Sequence, residues 1–352
     1  MEIWKIDKNF APGNIATDGD VRHFALPCAP FDLYGIFYDG EEGKFLRMPK
    51  KTAAAVSEGV ALLNTHTSGG RVRFSTDSDY FELAVSYKNF EQLPHMSLLA
   101  KCGFSLVDET DETPRFVRSF RPETTSKQGF CGSCSLPGTM RQYTLYFPLY
   151  SEVTGLTVGL NAKADVKGGK KYAEGAPVLY YGSSITQGAC ASRPDNCYPA
   201  YISGWTNTDY INLGFSGNAK GEKAIADHLA SLDCRLFVYD YDHNAPDAGH
   251  LRRTHRPLYE TFRASHPHTP VLFMTRPDFE FDATSAARRE IVRETYENAK
   301  QRGENVYFLD GETLFGKDDR MHCTVDCCHP NDLGFYRMAK AVYAKMKETG
   351  IF

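Results

Sequence analysis

The chain has 352 residues, of which 42% are hydrophobic and 24% charged, an ordinary globular composition with length for about two domains. Its 40 basic and 44 acidic side chains leave a net charge of −4, which argues against nucleic acid as a partner. No apolar run approaches the ~18 residues that a membrane span requires, and residues 1–8 mix charged with apolar side chains rather than forming an export signal, so the expected location is the cytoplasm.

Residues 72–160 carry a period-two pattern. Phe81, Leu83, Val85 and Tyr87 alternate with polar or small neighbours, as do Tyr143, Leu145 and Phe147, and Leu156, Val158 and Leu160 follow. Short alternating runs bounded by Gly, Asp, Ser and Pro predict antiparallel strands with one face in solvent, hence a β-sandwich. Residues 52–63 fit a strand or a short helix equally well. Cys131 and Cys134 form a Cys-x-x-Cys pair inside this half, and Cys323, Cys327 and Cys328 cluster near His322 and His329. Neither group has a second pair at zinc-finger spacing, so the expectation is thiols without a metal.

A Lys- and Gly-rich break at 162–175 separates this half from one with a different grammar. Five short apolar runs, at 178–181, 210–213, 236–239, 271–274 and 306–309, alternate with amphipathic stretches such as 221–232 and 285–302. In the last stretch Phe335, Ala339, Val342 and Met346 share one helical face. Strands and helices alternating at this spacing predict a parallel sheet covered on both sides.

Ligands of such a sheet bind beyond the carboxyl ends of its strands. The residues there are Gly182-Ser183-Ser184-Ile185-Thr186-Gln187-Gly188, then Gly214 to Asn218, then Asp240-Tyr241-Asp242-His243-Asn244, then Thr275-Arg276-Pro277-Asp278. Asp326-Cys327-Cys328-His329-Pro330 precedes the last helix. Serine, glycine, asparagine and an Asp/His pair on one edge are the parts of a nucleophile, an oxyanion hole and a base with its orienter.

These blocks resemble the SGNH, or GDSL-type, hydrolases. Ser184, Gly217, Asn244 and His329 stand where that family's four defining residues should, in the right order. Phe31-Asp32-Leu33-Tyr34-Gly35 is similar to the Gly-x-Asp-Leu-Tyr motif of a small β-rich domain found before such hydrolases, although Ala29 replaces the leading glycine. In the first block Ser183 stands where the family usually has aspartate, so a hydroxyl must take over that residue's local hydrogen bonds.

In the triad reading, Ser184 attacks from the positive end of a helix, His329 takes its proton and Asp326 orients the imidazole. Pro330 suits the first position of the following helix. The oxyanion would be held by the backbone N–H groups of Ser184 and Gly217 and the side-chain amide of Asn244. Each residue has a plainer alternative: Ser184 a helix cap, Gly217 a turn, Asn244 a cap for the next segment, Asp326 a solvated loop carboxylate. His243 reads as a structural or rim histidine, and Arg276 fits either a substrate-binding role or a surface ion pair.

The fold expected is an N-terminal β-sandwich-like domain (1–165) followed by a flavodoxin-like three-layer α/β/α domain (176–352). The resemblance implies a serine esterase without metal or cofactor. Its expected substrates are short-chain esters, with deacetylation of a carbohydrate or polar metabolite leading. An acyltransferase using the same acyl-enzyme and a non-catalytic carbohydrate-binding protein are the alternatives.

Overall fold

The computed structural model describes residues 5–7, 15, 17, 19–88, 93–123, 126, 128–277 and 283–352. Twelve strands occupy the first half of the described chain: β1 (Val21–Ala25), β2 (Asp32–Tyr34), β3 (Phe37–Asp39), β4 (Lys44–Leu46), β5 (Arg71–Thr76), β6 (Tyr80–Tyr87), β7 (Phe104–Asp108), β8 (Arg115–Phe120), β9 (Gly129–Ser135), β10 (Arg141–Tyr146), β11 (Val153–Asn161) and β12 (Val166–Gly168). One sheet runs β1-β11-β6-β9 and a second β12-β5-β10-β7-β8, with β2 also paired to β5; β3 and β4 form a separate hairpin. All of these pairings are antiparallel.

The alternation on β6 works as the sequence implies. Phe81, Leu83 and Val85 are buried against Val72, Phe74, Phe104, Leu106, Tyr143 and Leu145 of the facing sheet. Two sheets closing over one apolar interior make a sandwich.

The expectation of a solvent-exposed outer face fails for the second sheet. Every residue of β5 and β7 is buried, including Arg71, Arg73 and Ser105. The cause is the second half of the chain, which covers this face. Arg71 pairs with Asp209 and lies 3.8 Å over the Tyr210 ring, while Arg73 donates to Asn207 Oδ1 at 3.0 Å. A period-two pattern reports which side chains are apolar, and a polar face buried against another layer is invisible to it.

Residues 52–63 resolve into two short helices, α1 (Lys50–Val56) and α2 (Glu58–Leu63). They part at the extended Ser57, whose side chain accepts the Val60 N–H and caps α2. A third short helix, α3 (Leu98–Cys102), precedes β7.

The second half contains β13 (Val178–Gly182), α4 (Ser184–Gln187), α5 (Tyr198–Thr206), β14 (Tyr210–Gly214), α6 (Lys223–Ser231), β15 (Leu236–Asp240), α7 (Ala248–Ser265), β16 (Val271–Met274), α8 (Ser285–Gln301), β17 (Val306–Leu309) and α9 (Asp332–Lys347). Its five strands are parallel in the order β14-β13-β15-β16-β17. Alternate residues feed opposite faces. Val178, Tyr180, Leu236 and Val238 pack with Phe335, Met338 and Val342 of α9. Leu179, Tyr181, Phe237 and Tyr239 pack with Ile225, Leu251, Phe262 and Val292 of α6, α7 and α8.

Both of these apolar clusters extend into the first half of the chain. Tyr146, Leu149 and Tyr150 join the first, and Met48, Val60 and Leu63 the second. The two halves therefore share core rather than hanging on a linker. Because the chain leaves β13 toward β14 on one side and leaves β15 toward β16 on the other, the crossover direction reverses between β13 and β15. That reversal opens a crevice at their carboxyl ends.

Candidate active site

Ser184 stands two residues past the end of β13 and is almost fully buried, at 4% exposure. The turn that carries it is tight. A Cβ on Gly182 would stand 2.1 Å from Thr186 Oγ1 and 2.6 Å from the Asp240 carbonyl oxygen, so only glycine lets β13, α4 and β15 approach this closely.

Ser183, not Ser184, caps α4: its Oγ accepts the Ile185 N–H at 3.1 Å. The hydroxyl thus supplies a local bond at the position where aspartate is more usual. Two expectations about helices change here. α4 is only four residues long and ends at Gly188 in the left-handed region, so the helix field at Ser184 is that of a single turn. Pro330 does not open α9 either. Asn331 is the cap, and Asp332 the first helical residue. Pro330 instead bridges to Thr324, closing the loop that holds Asp326 and His329.

That loop presents a continuous relay. Ser184 Oγ lies 2.9 Å from His329 Nε2, and His329 Nδ1 lies 2.7 Å from Asp326 Oδ2. The other carboxylate oxygen, Asp326 Oδ1, accepts the backbone N–H of His329 at 2.7 Å and of Cys328 at 3.1 Å. Partial burial alone would raise the Asp326 carboxyl. The hydrogen bonds from the His329 ring, the His329 backbone and Cys328 outweigh it and hold the group below the usual carboxylate range. An ionised carboxylate on Nδ1 fixes the tautomer in which Nε2 can accept the serine proton.

The other strand ends flank this relay. Gly217, after β14, has φ +67, and nothing among the described residues lies within 4 Å of where a Cβ would be; a turn in the left-handed region is where glycine belongs. Asn244, after β15, does not cap the next helix, a role that Asp247 fills by accepting the His250 N–H. Its Oδ1 is buried with no hydrogen-bond partner among the described residues.

Asp240 and Asp242 are engaged elsewhere. Asp240 Oδ2 accepts from Thr186 Oγ1 at 2.7 Å and from Tyr198 at 3.2 Å, and Asp242 Oδ2 accepts the Arg276 N–H at 3.1 Å. Arg276 is itself buried, at 7% exposure. Asp278 lies outside the described residues.

Around Gln187 of the first block gather residues from the first half of the chain that carry no motif. Gln187 Oε1 accepts the Ser216 N–H at 3.0 Å, and Gln187 Nε2 contacts the Leu149 carbonyl at 3.1 Å and His66 Nδ1 at 3.3 Å. Tyr150 donates to the Ser184 carbonyl at 3.4 Å, and Arg47 donates to the Gly214 carbonyl while its guanidinium lies 4.5 Å over the Phe215 ring. The apolar residues around them read as core, and only the three-dimensional pairing reveals their place behind the site.

Cys131 and Cys134 sit three residues apart on β9 and so project from opposite faces of the strand, which removes them as a redox or metal pair. Burial pushes the thiols of Cys102, Cys134, Cys190, Cys197 and Cys234 up to about 12, leaving them unreactive. Among the described residues no helix is long and apolar enough to cross a membrane.

A buried serine, an Asp-held imidazole and strand-end turns thus meet at the crossover of a parallel sheet. Residues 175–347 match the GDSL-like lipase/acylhydrolase family, and residues 26–166 match the N-terminus of SGNH hydrolase-type esterases. The chain belongs to this GDSL/SGNH family and is a carboxylic ester hydrolase.

Among solved structures it is similar to a protein of Bacteroides ovatus described as a GDSL-like lipase, with 27% identity over 94% of this chain and 98% of that one and a TM-score of 0.84. A salicylyl-acyltransferase from a tetracycline biosynthetic pathway shares the fold at 20% identity over 94% and 98% of the two chains, with a TM-score of 0.78. A family two carbohydrate esterase from Clostridium thermocellum, in complex with cellohexaose, shares it at 14% identity over 80% and 93%, with a TM-score of 0.60. No curated protein matches the chain.

Proposed function

We propose that the protein is a serine esterase that hydrolyses short-chain carboxylic esters, removing acetyl groups from a carbohydrate or other polar metabolite. The unbroken Ser184–His329–Asp326 hydrogen-bond chain carries this reading.

In the first step Ser184 Oγ attacks the ester carbonyl as its proton passes to His329 Nε2, and Asp326 stabilises the imidazolium. The tetrahedral oxyanion takes hydrogen bonds from the backbone N–H groups of Ser184 and Gly217 and from the Asn244 amide. His329 then returns the proton to the leaving alkoxide, the alcohol departs, and an acyl-Ser184 ester remains. Water, deprotonated by His329, attacks that ester, and the imidazolium returns the proton to Ser184 Oγ as the acid departs. Nucleophile, base and donors are all protein groups, and the reaction needs no metal or organic cofactor.

The reading assigns residues 1–165 to the sandwich domain and 176–352 to the hydrolase domain. It keeps Arg276 as a residue at the substrate end of β16. Part of the polar edge that suggests a hydroxyl-rich substrate is internal, since Thr186, Gln187, Asp240 and Asp242 are buried. Ser216, Asn218, Lys220, His243 and Asn244 remain half-buried at the strand ends, and they suit a polar alcohol portion.

The test is covalent labelling. A fluorophosphonate should add once per chain and map to Ser184. Absence of labelling would favour a non-catalytic binding protein. Transfer of the acyl group to an added alcohol in preference to water would make the protein an acyltransferase.

A further inference from the structure

The loop closed by the Thr324–Pro330 bridge carries a residue that the triad leaves aside. Cys327 adopts φ +65 and faces solvent. The next residue, Cys328, turns inward and places its Sγ 3.3 Å from His243 Nε2. A zinc ion bound at about 2.3 Å to sulfur and about 2.0 Å to an imidazole nitrogen holds those two atoms roughly 3.5 Å apart, so the pair already stands near ligand separation.

Two more ligands are within reach. Among the described residues, Asp326, Cys328 and His329 each offer a ligand atom, and these atoms all lie within 4.8 Å of one another. All three residues, like His243, are half-buried, so an ion from solvent can reach them.

We infer that Cys328, Asp326 and His329, with His243 beside the thiol, form a site for a thiophilic divalent cation of the zinc type, and that its occupation switches the esterase off. As the Cys328 sulfur bonds the metal, the thiol proton leaves to water. His329 can ligate only by giving up a contact that the relay uses, either the 2.7 Å bond to Asp326 or the 2.9 Å bond to Ser184, whereas Asp326 can also bind through Oδ1, which lies outside the relay. Metal binding and proton relay therefore exclude each other. Thiolate and imidazole favour Zn2+ and Co2+, whereas Mg2+ and Ca2+ need oxygen ligands and find one carboxylate here. The inhibition rests on the triad reading, and the binding does not.

The experiment uses the purified full chain. Zinc chloride in the micromolar range should abolish ester hydrolysis, EDTA should restore it, and magnesium at millimolar concentration should leave it unchanged. Cobalt(II) should give a thiolate-to-metal absorption band in the near ultraviolet, which needs no activity to be seen. In Cys328→Ser the band should vanish, and the zinc concentration for half-inhibition, measured against that variant's own zinc-free rate, should rise about thirtyfold or more. His243→Gln should weaken inhibition in the same direction while keeping the band.

A chain with no thiolate band overturns the site, as does equal zinc sensitivity of the wild type and both variants. A band without inhibition overturns the link to the triad. A band on a chain that hydrolyses no ester leaves the metal site standing and removes the esterase reading instead.

Discussion

Gln187 Oε1 accepts the Ser216 N–H at 3.0 Å, tying the turn behind Ser184 to the turn that carries Gly217. The same amide reaches Leu149 and His66 in the other half of the chain. Gln187 is thus a positioning residue, and three segments share its side chain. Gln187→Ala leaves the buried Leu149 carbonyl without this partner, a loss of about 1–3 kcal/mol in stability, and frees the half-buried Ser216 N–H. It should also lower kcat about tenfold to a hundredfold while changing KM by less than about threefold, because a loosened donor acts on the transition state rather than on substrate binding. Steady-state kinetics on short esters decide it. A loss carried by KM would show that Gln187 shapes the binding pocket and not the donor turn.

Asp326→Asn should cut turnover by about two to four orders of magnitude, since the amide cannot stabilise the imidazolium and can hold the wrong tautomer. Asp240 and Asp242 are the obvious substitutes, but the carboxylate of the first receives Thr186 and Tyr198, and that of the second receives the Arg276 N–H. A loss of less than about tenfold would mean that one of them can swing to His329.

The strands of the parallel sheet and the blocks that follow them are legible in the sequence because each obeys a local rule. A strand such as Val178–Gly182 is a buried apolar run, and Asp326 and His329 stand three apart in one loop. What the sequence hides is contact between distant segments. Arg71 and Arg73 look like the wet face of a strand until Asp209 and Asn207 cover them. His66, Tyr150 and Arg47 approach the site from residues far away in sequence, with no spacing to announce them. The start of α9 shows the same limit at short range. Pro330 and Asn331 both suit a helix start, and the hydrogen bond that the Gly334 N–H donates to Asn331 Oδ1 decides between them.

Acid should destabilise the fold through two buried imidazoles. Burial, aided at His66 by the charges of Arg47 and Lys101, pushes His66 and His255 down to about 3. Unfolded, each would protonate near its ordinary value of about 6.5. Below that pH the unfolded chain takes up protons that the native one refuses, so stability falls as pH drops from about 6.5 toward about 3, by up to about 1.4 kcal/mol per pH unit for each group. Melting temperature measured across this window should decline, and His255→Gln should flatten the slope. A slope unchanged by that substitution would place the acid sensitivity in other groups.

Acyl-chain length tests the pocket. Each methylene buried in a matching apolar slot would contribute about 0.8 kcal/mol, and the half-buried side chains at the strand ends, Ser216, Asn218, Lys220, His243 and Asn244, offer little such surface. Acetyl and other short nitrophenyl esters should therefore be turned over with higher kcat/KM than octanoyl or longer ones. A rise beyond about six carbons would reveal an apolar channel and return lipid esters to the front.

The most direct test of the account is a double-mutant comparison of Ser184→Ala, His329→Ala and the pair together, read as kcat on an acetyl ester with circular dichroism as a check on folding. Because the 2.9 Å contact makes nucleophile and base one unit, each single substitution should lower kcat by about four orders of magnitude or more, and the double should be no worse than either. Losses that multiply in the double variant, or a single variant that keeps its turnover, would contradict the relay.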